Sequence, residues 1–263
     1  MRFGICVAQD KMADVAAAGF DFCELSVYEL LEPADGAEFA AWAEKIRNAP
    51  APVEAVNAFF TGGLRVTGPD VDYKLLESHI EKTMRRAGIA GIKIVVFGSG
   101  GARKLPDGYP VEKGWQDLAT VARMAAEYGA IHGVTTAMEP LLKKACNFFN
   151  TVAQGSDFVD RVNHPNLQLL GDLFHMADNG ESFTDLINAG DRLAHIHVAT
   201  PSLPETGDGI AYDFDSFFDA LRQSGYDGRI TVEDNPGLLW KIEPPLTDAY
   251  RAILNFVRAK ATR

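Results

Sequence analysis

The sequence predicts an α/β fold, a single (β/α)8 barrel that occupies residues 1–263 as one domain. Three observations carry that reading. A chain of 263 residues is the size of one such barrel and short for two ordinary domains. Eight short, near-continuous apolar runs alternate with amphipathic helical stretches, which calls for a parallel sheet covered by helices. No linker or low-complexity tract divides the chain, and no dinucleotide fingerprint follows the first run, so an open doubly wound sheet is the weaker alternative.

In order, Arg2–Val7 reads as the first strand, and Gly19 closes the helix over Lys11–Ala18. Phe22–Val27 is the second strand; its helix, Ala37–Asn48, ends at the Pro50-Ala51-Pro52 breaker. Val53–Phe59 is the third strand, and Asp72–Ala87 a helix with Leu75, Leu76, His79, Ile80, Thr83 and Met84 along one face. Ile92–Phe97, the fourth strand, runs into the Gly98–Arg103 loop before a helix over Val111–Tyr128. The second half repeats the scheme. Strands over Val134–Glu139, Leu167–Asp172, Leu193–Val198 and Arg229–Glu233 precede helices near Phe149–Arg161, Ser182–Ala189, Asp213–Ser224 and Leu246–Ala259.

Composition narrows the function. A net charge of −11 argues against a nucleic-acid backbone as partner, because that binding is driven by Lys and Arg displacing counterions. Cys6, Cys23 and Cys146 show no metal-binding spacing and fit reduced thiols in a cytoplasmic protein. The N-terminus does not read as a signal peptide, and no apolar run reaches membrane-spanning length.

The chemistry gathers where four strands end. Leu169-Leu170-Gly171-Asp172-Leu173-Phe174-His175 delivers an acid and then a histidine; Glu139 closes the fifth strand, His195-Ile196-His197 the seventh, and Glu233 the eighth. In such barrels active sites form at the C-terminal ends of the strands. Two Glu, one Asp and one His make an O₃N donor set suited to Mn²⁺, Mg²⁺ or Co²⁺. His195 and His197 are assigned to opposite strand faces, His197 to the mouth and His195 to the layer between barrel and helices. Glu24 and Asn57 can both face the mouth, with buried structural partners for interior polar groups the favoured account of each. Phe59, Phe60, Phe174 and Trp240 are candidates for an apolar pocket wall.

Met138-Glu139-Pro140, Gly171-Asp172-Leu173-Phe174-His175, His195-Ile196-His197 and Val232-Glu233 resemble the sugar phosphate isomerase/epimerase superfamily, the xylose isomerase-like barrels. That superfamily includes ketose 3-epimerases and hydroxypyruvate isomerase, and the resemblance spans essentially the whole chain. It implies one divalent metal ion, Mn²⁺ first and Mg²⁺ or Co²⁺ as alternatives, on Glu139, Asp172, His197 and Glu233. It also implies Glu139 and Glu233 as catalytic acid and base, and His175 as a substrate contact. The activity implied is isomerisation or epimerisation of a sugar or hydroxy-ketone, by proton abstraction next to a carbonyl through a metal-stabilised enediolate.

In one place the chain departs from the resemblance. Ketose 3-epimerases carry an Arg after the His-x-His strand, whereas Val198–Glu205 holds neither Arg nor Lys. Gly98–Arg103 resembles a Gly-Ser-Gly-x-x-Arg segment of other members, so Arg103 becomes the expected substrate-binding cation. Asn147 resembles a family position without a derived role. The alternative activity is a lyase or C-deglycosidase acting on a 3-keto sugar glycoside with a partner subunit. An abasic-site endonuclease and a non-catalytic sugar-binding barrel rank lower. The expected partner is a small sugar or keto-sugar, with neither nucleic acid nor membrane, in a homo-oligomer or with a heteromeric subunit.

Overall fold

The apolar runs pair as parallel strands and close into a barrel in chain order, the last strand returning to the first. The structure is a computed structural model that describes residues 1–203, 211–233 and 246–262. The strands are β1 (Arg2–Cys6), β2 (Phe22–Ser26), β3 (Val53–Asn57) and β4 (Ile94–Phe97). They continue with β5 (Thr135–Met138), β6 (Leu167–Asp172), β7 (Leu193–Ala199) and β8 (Arg229–Glu233). Outer helices follow the strands over Met12–Ala18, Ala37–Arg47, Tyr73–Ala90, Val111–His132, Val152–Val162, Thr184–Ala189, Phe214–Gln223 and Thr247–Ala261.

The helix Tyr73–Ala90 shows how these segments are fixed. Asp72 caps it by accepting from the amides of Lys74 and Leu75, a bond set worth about 1 kcal/mol. Leu76, Ile80, Met84 and Ala87 fall three or four residues apart and are buried on one face, whereas Leu75, expected there from the sequence, lies one position off that stripe and is exposed. Each large apolar side chain so buried contributes roughly 1.5–3 kcal/mol. Gly91, at φ +84°, ends the helix in a conformation that side chains resist.

Inside the barrel the packing is different. Ala55, Ile94, Val96, Ala137 and Leu170 form a small apolar cluster separate from the large core between sheet and helices. Gly4 keeps the interior open for the Phe22 ring, which a Cβ at position 4 would overlap. The interior also holds Glu24, His195, His197 and Thr231, all fully buried.

The structure departs from the sequence expectations in three local ways. Short helices cover Val27–Leu31 and Leu173–Asn179, directly at the ends of β2 and β6. The first is built on a capping box between Ser26 and Glu29, and Asp172 caps the second through the amide of His175. A further turn of helix spans Gly100–Arg103, in a stretch read as loop. Among the described residues, no helix is long and apolar enough to cross a membrane.

Candidate metal centre and active site

The register of the last strands builds the site. Asp172 on β6 pairs with His197 on β7, and Ala199 of β7 pairs with Glu233 on β8. Glu139 immediately follows β5 and donates its amide to the Phe97 carbonyl of β4 at 3.2 Å. Neighbouring strands lie about 4.8 Å apart, so side chains from consecutive strand ends can converge on one point. Glu139, Asp172, His197 and Glu233 do so, each offering one donor atom within 4.8 Å of the others.

His197 stands at the centre of the cluster. Its Nδ1 lies 3.5 Å from Glu139 Oε1, 3.5 Å from Glu233 Oε2 and 3.8 Å from Asp172 Oδ2. Its Nε2 donates in the other direction, to Glu24 Oε1 at 3.0 Å. With the proton on Nε2, the Nδ1 lone pair faces the three carboxylates. Glu139 Oε1, Asp172 Oδ2 and His197 Nδ1 are buried atoms with no hydrogen-bond partner among the described residues. Buried polar atoms normally find partners, and here the unpaired ones share one focus. That donor set fits a divalent cation.

Beneath it, Glu24 accepts from two histidines, since His195 Nε2 also donates to it, at 2.8 Å. This corrects the placement of His195. Residues two apart on a strand share a face, so His195 and His197 both turn into the barrel, and His195 also lies 3.1 Å from Thr231 Oγ1. Burial opposes the ionised form of Glu24, but His197 and His195 outweigh it and hold the carboxyl below the usual range. Burial likewise opposes a charged His197, while Glu24 and Glu233 raise its pKa well above the ordinary value. Cys6, under the same cluster, has its thiol pushed up by burial and by the Glu24 charge.

Arg103 is the other correction. It is fully buried, and its guanidinium donates to the Phe97 carbonyl at 2.8 Å and to the Glu139 carbonyl. It also lies 5.0 Å over the Phe149 ring. The side chain therefore ties the ends of β4 and β5 together and supports the backbone of Glu139. It has no face left for a substrate. His175 sits in the first turn of Leu173–Asn179, with Nε2 3.8 Å from Glu139 Oε1.

A cavity of about 650 Å³ opens above this cluster and is lined by Glu139, His175 and Glu233. That volume lies within the range of roughly 300–1,000 Å³ usual for small-molecule sites. Phe60 and Asn57 line it; Phe59 is buried behind Phe60, with ring centroids 4.3 Å apart. Phe174 packs on His175, at 5.1 Å between ring centroids. Trp240 lies outside the described residues. Asn147 has a structural contact: its Oδ1 accepts from the Leu105 amide and its Nδ2 donates to the Leu105 carbonyl.

The xylose isomerase-like TIM barrel family model matches residues 12–260. The chain belongs to this family. It is 37% identical over 118 residues to an L-ribulose 3-epimerase of Methylomonas sp. (strain DH-1), covering 44% of this chain and 40% of that one. A longer match, 26% identical over 226 residues, covers 84% of this chain and 73% of an L-ribulose 3-epimerase of Mesorhizobium japonicum. The chain spans less than half the length of several curated relatives it matches. A D-psicose 3-epimerase of Clostridium cellulolyticum H10, solved with D-tagatose, superposes with a TM-score of 0.85 at 20% identity over 99% of both chains. That likeness is one of fold.

In this xylose isomerase-like barrel, several cavity residues were not read from the sequence. Tyr28 and Arg65 line the cavity, as do Gly98 and Ser99 of the segment singled out only for Arg103. Tyr28 carries a signal in hindsight, since the Ser26-x-x-Glu29 capping box starts its helix at the strand end. Gly98 acts through what it lacks: a Cβ there would overlap Glu139 Oε2. Ala58 turns the chain out of β3 with φ +54°, a left-handed conformation costing about 1–2 kcal/mol in a non-glycine residue.

Proposed function

We propose that the protein is a divalent-metal-dependent epimerase or isomerase of a ketose or related hydroxy-ketone. One observation carries the reading: four strand-end residues turn donors within 4.8 Å of one another, and three of those donors are buried without a hydrogen-bond partner among the described residues. The sugar substrate is supported by curated relatives named as ketose and L-ribulose 3-epimerases. Glu139, Asp172, His197 and Glu233 would hold the ion, Mn²⁺ first by donor chemistry and Mg²⁺ or Co²⁺ next. Such an ion supplies Lewis-acid polarisation of a substrate carbonyl and its neighbouring hydroxyl.

The proton chemistry falls to Glu139 and Glu233. Glu139 directs Oε1 to His197 Nδ1, while its Oε2 lies against Gly98 on the cavity wall. One oxygen can thus serve as donor and the other as base. The Glu233 side chain is 24% exposed and also lines the cavity. One carboxylate removes the proton from the carbon beside the carbonyl. The other returns a proton to the opposite face in epimerisation, or to the neighbouring carbon in isomerisation. His175 donates to a substrate hydroxyl and so orients the ring or chain. The reading places this activity in the cytoplasm, consistent with three unpaired cysteines.

Metal analysis of the purified protein, followed by NMR of proton exchange in D₂O over a panel of ketoses and keto-glycosides, tests the proposal. One divalent ion per chain is expected, together with exchange beside the carbonyl that chelation abolishes and Mn²⁺ restores. Exchange indifferent to chelation, or a protein that binds no divalent ion, would overturn it.

A further inference from the structure

Among the described residues lining the cavity, Arg65 is the one arginine or lysine. It comes from the loop after β3, whereas the four candidate ligands come from the ends of β5 to β8. Its guanidinium is pinned by two backbone carbonyls: Nη1 donates to Gly101 at 3.2 Å and Nη2 to Lys104 at 2.7 Å. A guanidinium has five N–H donors, so these bonds fix its direction and leave donors over. No carboxylate pairs with it among the described residues, although Arg2, Arg192 and Arg251 each have one. With 36 Asp and Glu against 25 Lys and Arg, leaving this cation unneutralised runs against the composition.

The charge at the ligand cluster has the opposite sign. Three carboxylates around a divalent ion leave about one net negative charge. An anionic group on a substrate is repelled from that cluster and drawn to the pinned guanidinium, whose planar fork matches a carboxylate or a phosphate. The cation expected from the sequence at position 103 is buried on carbonyls, and Arg65 is the side chain on the cavity wall able to fill that role.

We propose that the substrate is a ketose carrying a carboxylate or phosphate group remote from its carbonyl, and that Arg65 binds that anion. The inference rests on the epimerase or isomerase reading of the same site.

The test compares the Mn²⁺-loaded wild type with Arg65→Gln and Arg65→Lys, with thermal melts checking that each variant is folded. The substrates are a neutral ketohexose, its terminal phosphate ester and a ketohexuronate. The wild type should prefer one of the two anionic substrates, and which one it prefers separates phosphate from carboxylate. In Arg65→Gln, kcat/KM for that substrate should fall by roughly 10- to 100-fold more than for the neutral ketose. Arg65→Lys should recover part of the preference. A wild type with no anionic preference, or an Arg65→Gln loss equal across the panel, would overturn the proposal. A binding arm separates this from the reaction itself, using calorimetry with a hexitol phosphate and an aldonate that cannot react. Arg65-dependent binding of either, with no ketose turned over, would retain the anion subsite and sink the epimerase reading. Binding equal in the wild type and Arg65→Gln would sink the subsite whatever the turnover.

Discussion

The two halves of the barrel end differently. β6 and β8 end in acids, Glu139 directly follows β5, and β7 carries His197 two residues before its end. β1 to β4 end in Cys6, Ser26, Asn57 and Phe97, none of them an acid or a histidine. Asn57 at the end of β3 and the loops that follow β3 and β4 instead wall the cavity, the loops through Phe60, Arg65, Gly98 and Ser99. Donors for one small ion must lie within a few ångströms, and a run of neighbouring strand ends brings side chains that close. In the proposed mechanism proton chemistry gathers on one arc of the mouth, and recognition is assigned to the described part of the opposite arc. Glu24 crosses that division, reaching from β2 to both histidines of β7.

The largest expected effects lie on the β5–β8 arc. Glu139→Gln and Glu233→Gln keep the size and one oxygen donor but remove the base. At saturating Mn²⁺ each should lose about two to four orders of magnitude in turnover, well beyond its loss of bound metal. A fully metallated variant with near-normal proton exchange would make that glutamate a ligand only, and the two-glutamate mechanism would fail.

A smaller effect is expected where Glu24 bridges the halves. Glu24→Gln offers one acceptor where two histidine Nε2–H groups now find a carboxylate, so one ring is left facing a donor. Mn²⁺ affinity measured by calorimetry should fall roughly 10- to 100-fold, as for other partners of metal-binding histidines. Unchanged affinity would confine the ion's support to β5–β8 and sharpen the division.

The smallest effect belongs to the wall. His79 Nε2 donates to the Phe59 carbonyl at 2.8 Å, behind the β3 loop. Burial disfavours its charged form and sets its pKa below the ordinary value. The unfolded ring, with a pKa of about 6.5, then takes up a proton before the folded one as pH falls. Its contribution is present above about pH 6.5 and is lost progressively below. Thermal melts at a series of pH values should show a shallower acid slope for His79→Gln than for the wild type below about pH 6.5. Parallel slopes would remove His79 from the account.

Much of the barrel was legible because its strands are short apolar runs with polar ends. Leu167–Asp172 and Arg229–Glu233 match the sequence reading at both ends. The four converging residues were legible for the same reason, each lying at the end of such a run. Arg103 was not, because its partners are main-chain carbonyls of β4 and β5, which no residue type announces. His195 was misplaced although the two-residue spacing of His195 and His197 already puts both rings on one face. The helix Leu173–Asn179 was hidden because one residue, Asp172, both ends a strand and caps a helix.

Gly98 sets a limit on how this site can be changed. Because a Cβ at that position would overlap Glu139 Oε2, residues 98 and 139 cannot vary independently. A chain that gains a side chain at 98 must re-aim its glutamate or reroute the backbone after β4. Libraries intended to alter substrate preference should also leave Gly62 and Gly63 in place, because their φ of +65° and +82° strains any side chain despite the open space around them. Of the three glycines directly after β4, Gly98, Gly100 and Gly101, only Gly101 accepts a Cβ without a contact within 4 Å and without a left-handed φ, so it is the one to vary.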